Sequence, residues 1–95
     1  MATLIIKHRV TNFDTWRQGF EAHAPERKKY GFTSCTVLRD TTDPNLLTCV
    51  LQAKDMTQAK TFLAQPALRD AMQKAGVQGA PEISFCEQAL SESLT

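Results

Sequence analysis

Residues 33–53, TSCTVLRDTTDPNLLTCVLQA, contain two runs of β-branched and aliphatic residues separated by a turn. The runs are Thr33–Arg39 and Leu46–Ala53, and the segment between them has the Asp, Asn and Pro content of a turn. This pattern predicts a β-hairpin in which Asp40 pairs with Leu46. That register places apolar side chains on both faces of the hairpin. One face carries Cys35, Val37, Leu47, Cys49 and Leu51, and the other carries Leu38, Leu46 and Val50.

A strand and a helix precede the hairpin. Leu4–Val10 alternates in character, and its even-numbered side carries Leu4, Ile6, His8 and Val10, so it is predicted to be a strand. Asn12 is a suitable cap for a helix over residues 13–30, which ends at Gly31. Basic residues near its C-terminus favour the negative end of the helix dipole.

A second helix and a last strand follow the hairpin. Asp55 is predicted to cap a helix that starts at Met56, breaks at Gln65 before Pro66 and stops at Gly76. Glu82–Gln88 is predicted to be the fourth strand. The order strand, helix, strand, strand, helix, strand indicates an α+β, ferredoxin-like fold with a four-stranded antiparallel sheet and two helices on one face. Residues 1–90 form one domain in this interpretation, and residues 91–95 form a polar tail.

The sheet face without helices also carries apolar residues. Leu38, Leu46 and Val50 would be left in water unless a second surface covered them. Two sheets packed face to face would bury this layer, so we expect a homodimer that forms an α+β barrel.

Composition excludes several classes of partner. Eleven basic and ten acidic residues leave a formal charge of +1, so neither nucleic acid nor an anionic membrane is indicated. The apolar stretch Leu4-Ile5-Ile6 is too short for a signal peptide or a membrane span. Three widely separated cysteines, Cys35, Cys49 and Cys86, indicate buried reduced thiols and neither a disulfide framework nor a metal site. We expect a cytoplasmic protein.

Two common uses of this fold lack their residues here. An RNA-recognition module stacks bases on aromatic side chains of its central strands, and neither Leu4–Val10 nor Leu46–Leu51 contains an aromatic residue. A heavy-metal carrier places two cysteines after the first strand, where this chain has Thr11 and Asn12. No glycine-rich phosphate loop or Ser-His-Asp set appears in the sequence either.

Four residues of the first helix share one face. Trp16, Phe20, His23 and Arg27 are spaced by four, three and four positions. Trp16 and Phe20 fit a core as well as a ligand wall, and the run that begins at Arg27 is typical of a solvated helix end. His23 and His8 are each compatible with a hydrogen-bonded structural role or with acid–base chemistry. We take His8 and His23 as catalytic candidates and Trp16, Phe20 and Arg27 as substrate-binding candidates.

The sequence resembles the dimeric α+β barrel superfamily over about residues 3–88, in particular its antibiotic-biosynthesis-monooxygenase-like and cyclase-like proteins. The resemblance rests on residues 7–10 (KHRV), Asn12-Phe13, Trp16, His23, Arg27, Asp43-Pro44-Asn45, residues 66–72 (PALRDAM) and residues 76–81 (GVQGAP). It implies a homodimer with a small apolar pocket in each chain and chemistry on a small organic ligand without a cofactor. The haem-degrading branch places its tryptophan later in the chain, whereas the only tryptophan here is Trp16. The resemblance therefore does not imply haem degradation.

Two functions of different classes are consistent with these residues. The first is a cofactor-independent monooxygenase or cyclase in which His8 or His23 removes a proton from a small apolar or aromatic substrate. The second is a noncatalytic dimer that binds a small ligand or serves as a stress-related interaction protein. Both histidines can face one pocket only if the even-numbered side of the first strand faces the helices.

Overall fold

Four antiparallel strands form one sheet in the computed structural model, which describes residues 2–94. The elements in chain order are β1 Ala2–Val10, α1 Phe13–Ala22, α2 Ala24–Lys29, β2 Phe32–Arg39, β3 Leu46–Ala53, α3 Met56–Leu63, α4 Pro66–Lys74 and β4 Val77–Glu87. The strand order is β2-β3-β1-β4. The predicted ferredoxin-like α+β fold is therefore confirmed.

The β2–β3 hairpin has the predicted register. The Asp40 backbone N–H donates to the Leu46 carbonyl at 3.0 Å, and Cys35 lies opposite Leu51. Directly paired residues point to the same side of a sheet. The β3 residues on the helix side are therefore buried, whereas Leu38 on the other side is 51% exposed.

The core lies between the sheet and the helices. The even-numbered residues of β1 face the helices, and Leu4 and Val10 are each 1% exposed. They pack with the buried side of β3 and with aromatic residues from the helical layer. The buried core comprises Ala2, Leu4, Ile6, Val10, Trp16, Phe32, Leu47, Cys49, Leu51, Ala53, Ala59, Phe62 and Leu68.

The predicted single helix over residues 13–30 is wrong, because the structure breaks it at His23. Pro25 explains the break. Its nitrogen carries no hydrogen to donate to the Glu21 carbonyl, and its ring would clash with that carbonyl in a continuous helix. The chain instead restarts as α2, with Pro25 in its first turn, where a missing N–H has no cost.

The remaining helix predictions are confirmed. The Asn12 side chain accepts a hydrogen bond from the Thr15 N–H at 3.0 Å and caps α1. Asp55 caps α3 in the same way by accepting from two backbone N–H groups. The predicted break at Gln65 separates α3 from α4, which begins at Pro66.

Strand β4 begins at Val77, five residues before the predicted start at Glu82, and it ends at Glu87. The early segment pairs Val77 with Val10, and the register then shifts between Lys7 and Arg9 on β1. Gly79 lies in this bulge with φ of 69°, which a residue with a side chain rarely adopts. Pro81 is compatible with a strand because β4 is at the edge of the sheet.

The sheet face opposite the helices mixes apolar and polar side chains. Ile5, Leu46 and Val50 are half-buried there, and Thr48 lies among them on the same face of the sheet. Residues 88–94 have no regular structure and are exposed, and Thr95 is outside the described residues. None of the helices within residues 2–94 has the length and apolar character needed to cross a membrane.

Candidate functional site

A cavity of about 60 Å³ lies between the sheet and the helices. At roughly 10–15 Å³ for each water, this is room for about four to six waters or a comparable number of ligand atoms. The sheet provides one wall with Ile6, His8, Cys49 and Leu51. All five candidate site residues line the cavity: His8, Trp16, Phe20, His23 and Arg27.

His8 points from β1 toward the helices and is 5% exposed. On its other side, the register shift in β4 leaves His8 opposite the bulge, because Lys7 pairs with Glu82 and Arg9 pairs with Gln78. Its Nδ1 atom is buried and has no hydrogen-bond partner within residues 2–94. Burial lowers the pKa of His8 below its usual 6.5, since the charged imidazolium is poorly solvated there. The imidazole is therefore neutral at pH 7 and able to accept a proton.

Aromatic rings from α1 form a continuous wall that leads to His8. The Trp16 ring stacks on Phe20 with 4.7 Å between centroids. The His8 ring meets Trp16 edge to face at 5.6 Å. These geometries are favourable for aromatic pairs, so the wall holds the His8 ring in a defined orientation.

Arg27 closes the other end of this wall. Its guanidinium carbon lies 3.7 Å from the centroid of Phe20, a cation–π arrangement. The Arg27 side chain is 8% exposed. The prediction that it belongs to a solvated helix end is therefore wrong. The break at His23 explains the difference, because Arg27 belongs to a separate helix and lines the cavity beside residues of the sheet. Lys28 and Lys29, by contrast, are exposed as predicted.

His23 occupies the junction between α1 and α2. It is half-buried, and its ring lies 6.1 Å from that of Phe62. Its backbone N–H donates to the Phe20 carbonyl at 3.1 Å, and its carbonyl accepts from Glu26 and Arg27. The side chain lines the cavity from the junction of the two helices.

Two of the three cysteines are less buried than predicted. Cys49 is buried, but Cys35 and Cys86 are half-buried, because β2 and β4 are the edge strands. Burial raises the pKa of Cys49 to about 12 and also raises the pKa of Cys35. Both thiols are protonated at neutral pH. Within residues 2–94, no three or more His, Cys, Asp or Glu side chains come together as a metal site.

The part of the cavity that α3 and α4 provide was not predicted from the sequence. Phe62, Leu68 and Met72 line it from those helices. The close approach of α1 and α4 is made by small residues, since a Cβ atom on Gly19 would lie 3.1 Å from Cβ of Ala75. The apolar spacing of α4 was visible in the sequence, but its distance from α1 depends on how the helices cross.

The cavity therefore combines a desolvated imidazole, an aromatic wall and a buried guanidinium. A neutral imidazole in an apolar site can take a proton from a weakly acidic C–H or O–H group. Burial of His8 keeps most bulk water away from the anion that forms beside it. The guanidinium provides the positive charge that an anionic group requires.

Comparisons with protein families and with curated proteins find no match for this chain. Solved structures do match. A variant of SnoaB, a cofactor-independent oxygenase from Streptomyces nogalater, has a TM-score of 0.75 and 18% identity over 95% of this chain and 94% of its own. An antibiotic biosynthesis monooxygenase has a TM-score of 0.72 at 9% identity, covering 95% of this chain and 100% of its own. A conserved protein from Methanosarcina mazei Go1 has a TM-score of 0.72 at 14% identity, covering 92% and 91%.

These likenesses extend over nearly the whole chain, but the identities are low enough that they establish the fold alone. The similarity to this superfamily inferred from the sequence is confirmed at that level. The chain has the ferredoxin-like α+β fold of the antibiotic biosynthesis monooxygenase-like proteins.

Proposed function

We propose that the chain is an enzyme of the cofactor-independent monooxygenase or cyclase type, acting on a small apolar or aromatic substrate in the cavity beside His8. The observation that carries this proposal is the His8 imidazole, which is buried, neutral and unpartnered at Nδ1 within residues 2–94. Its position against Trp16 supports a planar substrate. SnoaB, with the same fold, is a cofactor-independent oxygenase.

In the oxygenase reaction, His8 removes a proton from an activated ring C–H group and becomes an imidazolium. The carbanion adds to dioxygen and forms a C–O bond, which leaves a peroxide anion. The imidazolium returns its proton to this anion, and the hydroperoxide then loses water. One CH₂ group and one O₂ molecule give one carbonyl group and one water, so dioxygen accepts four electrons from the carbon. A cyclase would use the same carbanion on a carbonyl carbon of the substrate.

The other lining residues have supporting roles in this proposal. Trp16 and Phe20 form the apolar wall on which the substrate ring lies. His23 orients the substrate from the α1–α2 junction, and Arg27 binds a polar group of the substrate at the other end of the wall. No cofactor has a role in this reaction, because dioxygen itself accepts the electrons.

We also propose that the working form is a cytoplasmic homodimer that pairs the open sheet faces. Ile5, Leu38, Leu46 and Val50 lie on that face and would be buried by a second copy. A stable contact of this kind buries at least about 1,200 Å² in total. Residence in the cytoplasm agrees with three free cysteines, which oxidising compartments tend to convert to disulfides.

The test is dioxygen uptake with a panel of hydroquinones and enolisable cyclic ketones. His8→Gln keeps a polar side chain of similar reach but removes the base, so turnover should fall by about 10² or more. His23→Gln is the comparison variant and should lower turnover less than His8→Gln, because His23 orients the substrate and does not remove the proton. Retention of full turnover by the folded His8→Gln protein would contradict the proposed role of His8.

The alternative is a noncatalytic dimer that binds a small ligand in the same cavity. It is favoured by the lack of a hydrogen-bonded acid–base dyad, since no side chain within residues 2–94 is hydrogen-bonded to His8 Nδ1. In that case ligands should bind to the cavity, but no compound of the panel should be consumed. Binding without dioxygen uptake or cyclisation would select this alternative.

A further inference from the structure

Arg27 is buried but forms no ion pair within residues 2–94, unlike the exposed Arg9 and Arg17. Arg9 forms an ion pair with Asp43, and Arg17 forms one with Glu21 on the exposed side of α1. Arg27 is 8% exposed, and among residues 2–94 no carboxylate forms an ion pair with it. A guanidinium keeps its charge at all physiological pH values, so this is a buried positive charge without a counterion.

The groups that do contact Arg27 cannot neutralise it. The Cys35 and Cys49 thiols are close enough to interact with the Arg27 charge. Both thiols remain protonated at neutral pH, because burial raises their pKa values. The Phe20 ring contributes only the weaker attraction of its π face.

We propose that the substrate is a single-ring aromatic carboxylate whose anionic group binds the Arg27 guanidinium. This inference rests on the proposed function, since it concerns the same cavity, and it assigns the chemical class of the substrate. A carboxylate matches the planar guanidinium and accepts two parallel hydrogen bonds from it. It supplies the missing negative charge in a site that water reaches poorly.

The geometry of the wall fixes how such a ligand would lie. Arg27 stacks on Phe20, Phe20 stacks on Trp16, and Trp16 meets the His8 ring. A ligand with its carboxylate on Arg27 lays its ring along the two aromatic side chains. The far side of that ring then points toward His8. The cavity of about 60 Å³ is smaller than the roughly 150 Å³ that holds one benzene ring in a protein core, so the helices must move apart for a single ring and further apart for a fused polycyclic ligand.

The experiment compares benzoate with benzamide, which has the same shape but no charge. Affinities are measured by calorimetry and by the emission of Trp16, the single tryptophan. The wild-type protein should bind benzoate about 10- to 100-fold more tightly than benzamide, the range expected for a hydrogen bond to a charged group. Arg27→Gln should remove this preference, and Arg17→Gln, which loses only an exposed ion pair, should keep it.

If Arg27→Gln does not fold, Arg27→Met provides an apolar side chain of similar length at the same position. Equal affinity of the wild-type protein for the two ligands would overturn the inference and leave the proposed function standing. Persistence of the preference in a folded Arg27 variant would also overturn it, because the anion would then be held elsewhere. Failure of both ligands to bind would overturn the inference and remove the proposed cavity site as well.

Discussion

Replacement of His8 by leucine is expected to make the protein more stable and to abolish its chemistry. The imidazole is 5% exposed, and its Nδ1 has no partner within residues 2–94. A buried polar group without a partner costs about 1–3 kcal/mol. The edge-to-face contact with Trp16, which leucine would lose, contributes about 0.5–1.5 kcal/mol. The free energy of unfolding should therefore rise by about 1 kcal/mol.

Urea unfolding at pH 7.5 followed by Trp16 fluorescence measures this change. Wild type and variant are compared at one protein concentration, because the proposed dimer would make stability depend on concentration. For a chain of this size, 1 kcal/mol corresponds to a melting temperature about 4–8 °C higher. His23→Leu is the matched control, and its free energy of unfolding should change by about 0.5 kcal/mol or less. A loss of 1 kcal/mol or more in His8→Leu would show that the imidazole is satisfied in the folded protein and would refute the reasoning.

Three further predictions concern pH, thiols and assembly. The pKa of His8 is lowered in the folded state, so the unfolded chain binds more protons below about pH 6.5. Wild-type stability should fall between pH 7.5 and 5.5, as urea unfolding would show, and an equally steep fall in His8→Gln would contradict this assignment. Thiol titration should find all three cysteines slow in the folded protein, with Cys49 the slowest because its pKa is about 12. Light scattering should give the mass of a dimer, whereas a folded monomer would exclude pairing through Leu38 and its neighbours.

The order of elements and the hairpin register could be predicted because both depend on local patterns. The alternation around Asp40 and Leu46 specifies which side chains share a face, and the hydrogen bond between them is formed as expected. The caps at Asn12 and Asp55 likewise depend on three or four neighbouring residues. Such features require no knowledge of distant parts of the chain.

The features that the sequence analysis missed depend on contacts between distant residues. The early start of β4 at Val77 requires pairing with Val10, sixty-seven positions away in the sequence. The break before Pro25 was visible as a proline, but its effect on Arg27 depends on where α2 points after the break. Whether His8 faced the helices or the open side of the sheet depended on which face the helices covered. Its role in chemistry stays a prediction, since only its position is settled.

The cavity walls also belong to the core that holds the fold together. Trp16, Leu51, Phe62 and Leu68 line the cavity and are at the same time among the buried core residues. A molecule that occupies the cavity must therefore leave before these side chains separate, so binding and unfolding are coupled. A ligand at one hundred times its Kd would add about 2.7 kcal/mol to the free energy of unfolding. Candidate ligands can thus be ranked by how far each raises the melting temperature of the protein, before any reaction has been observed.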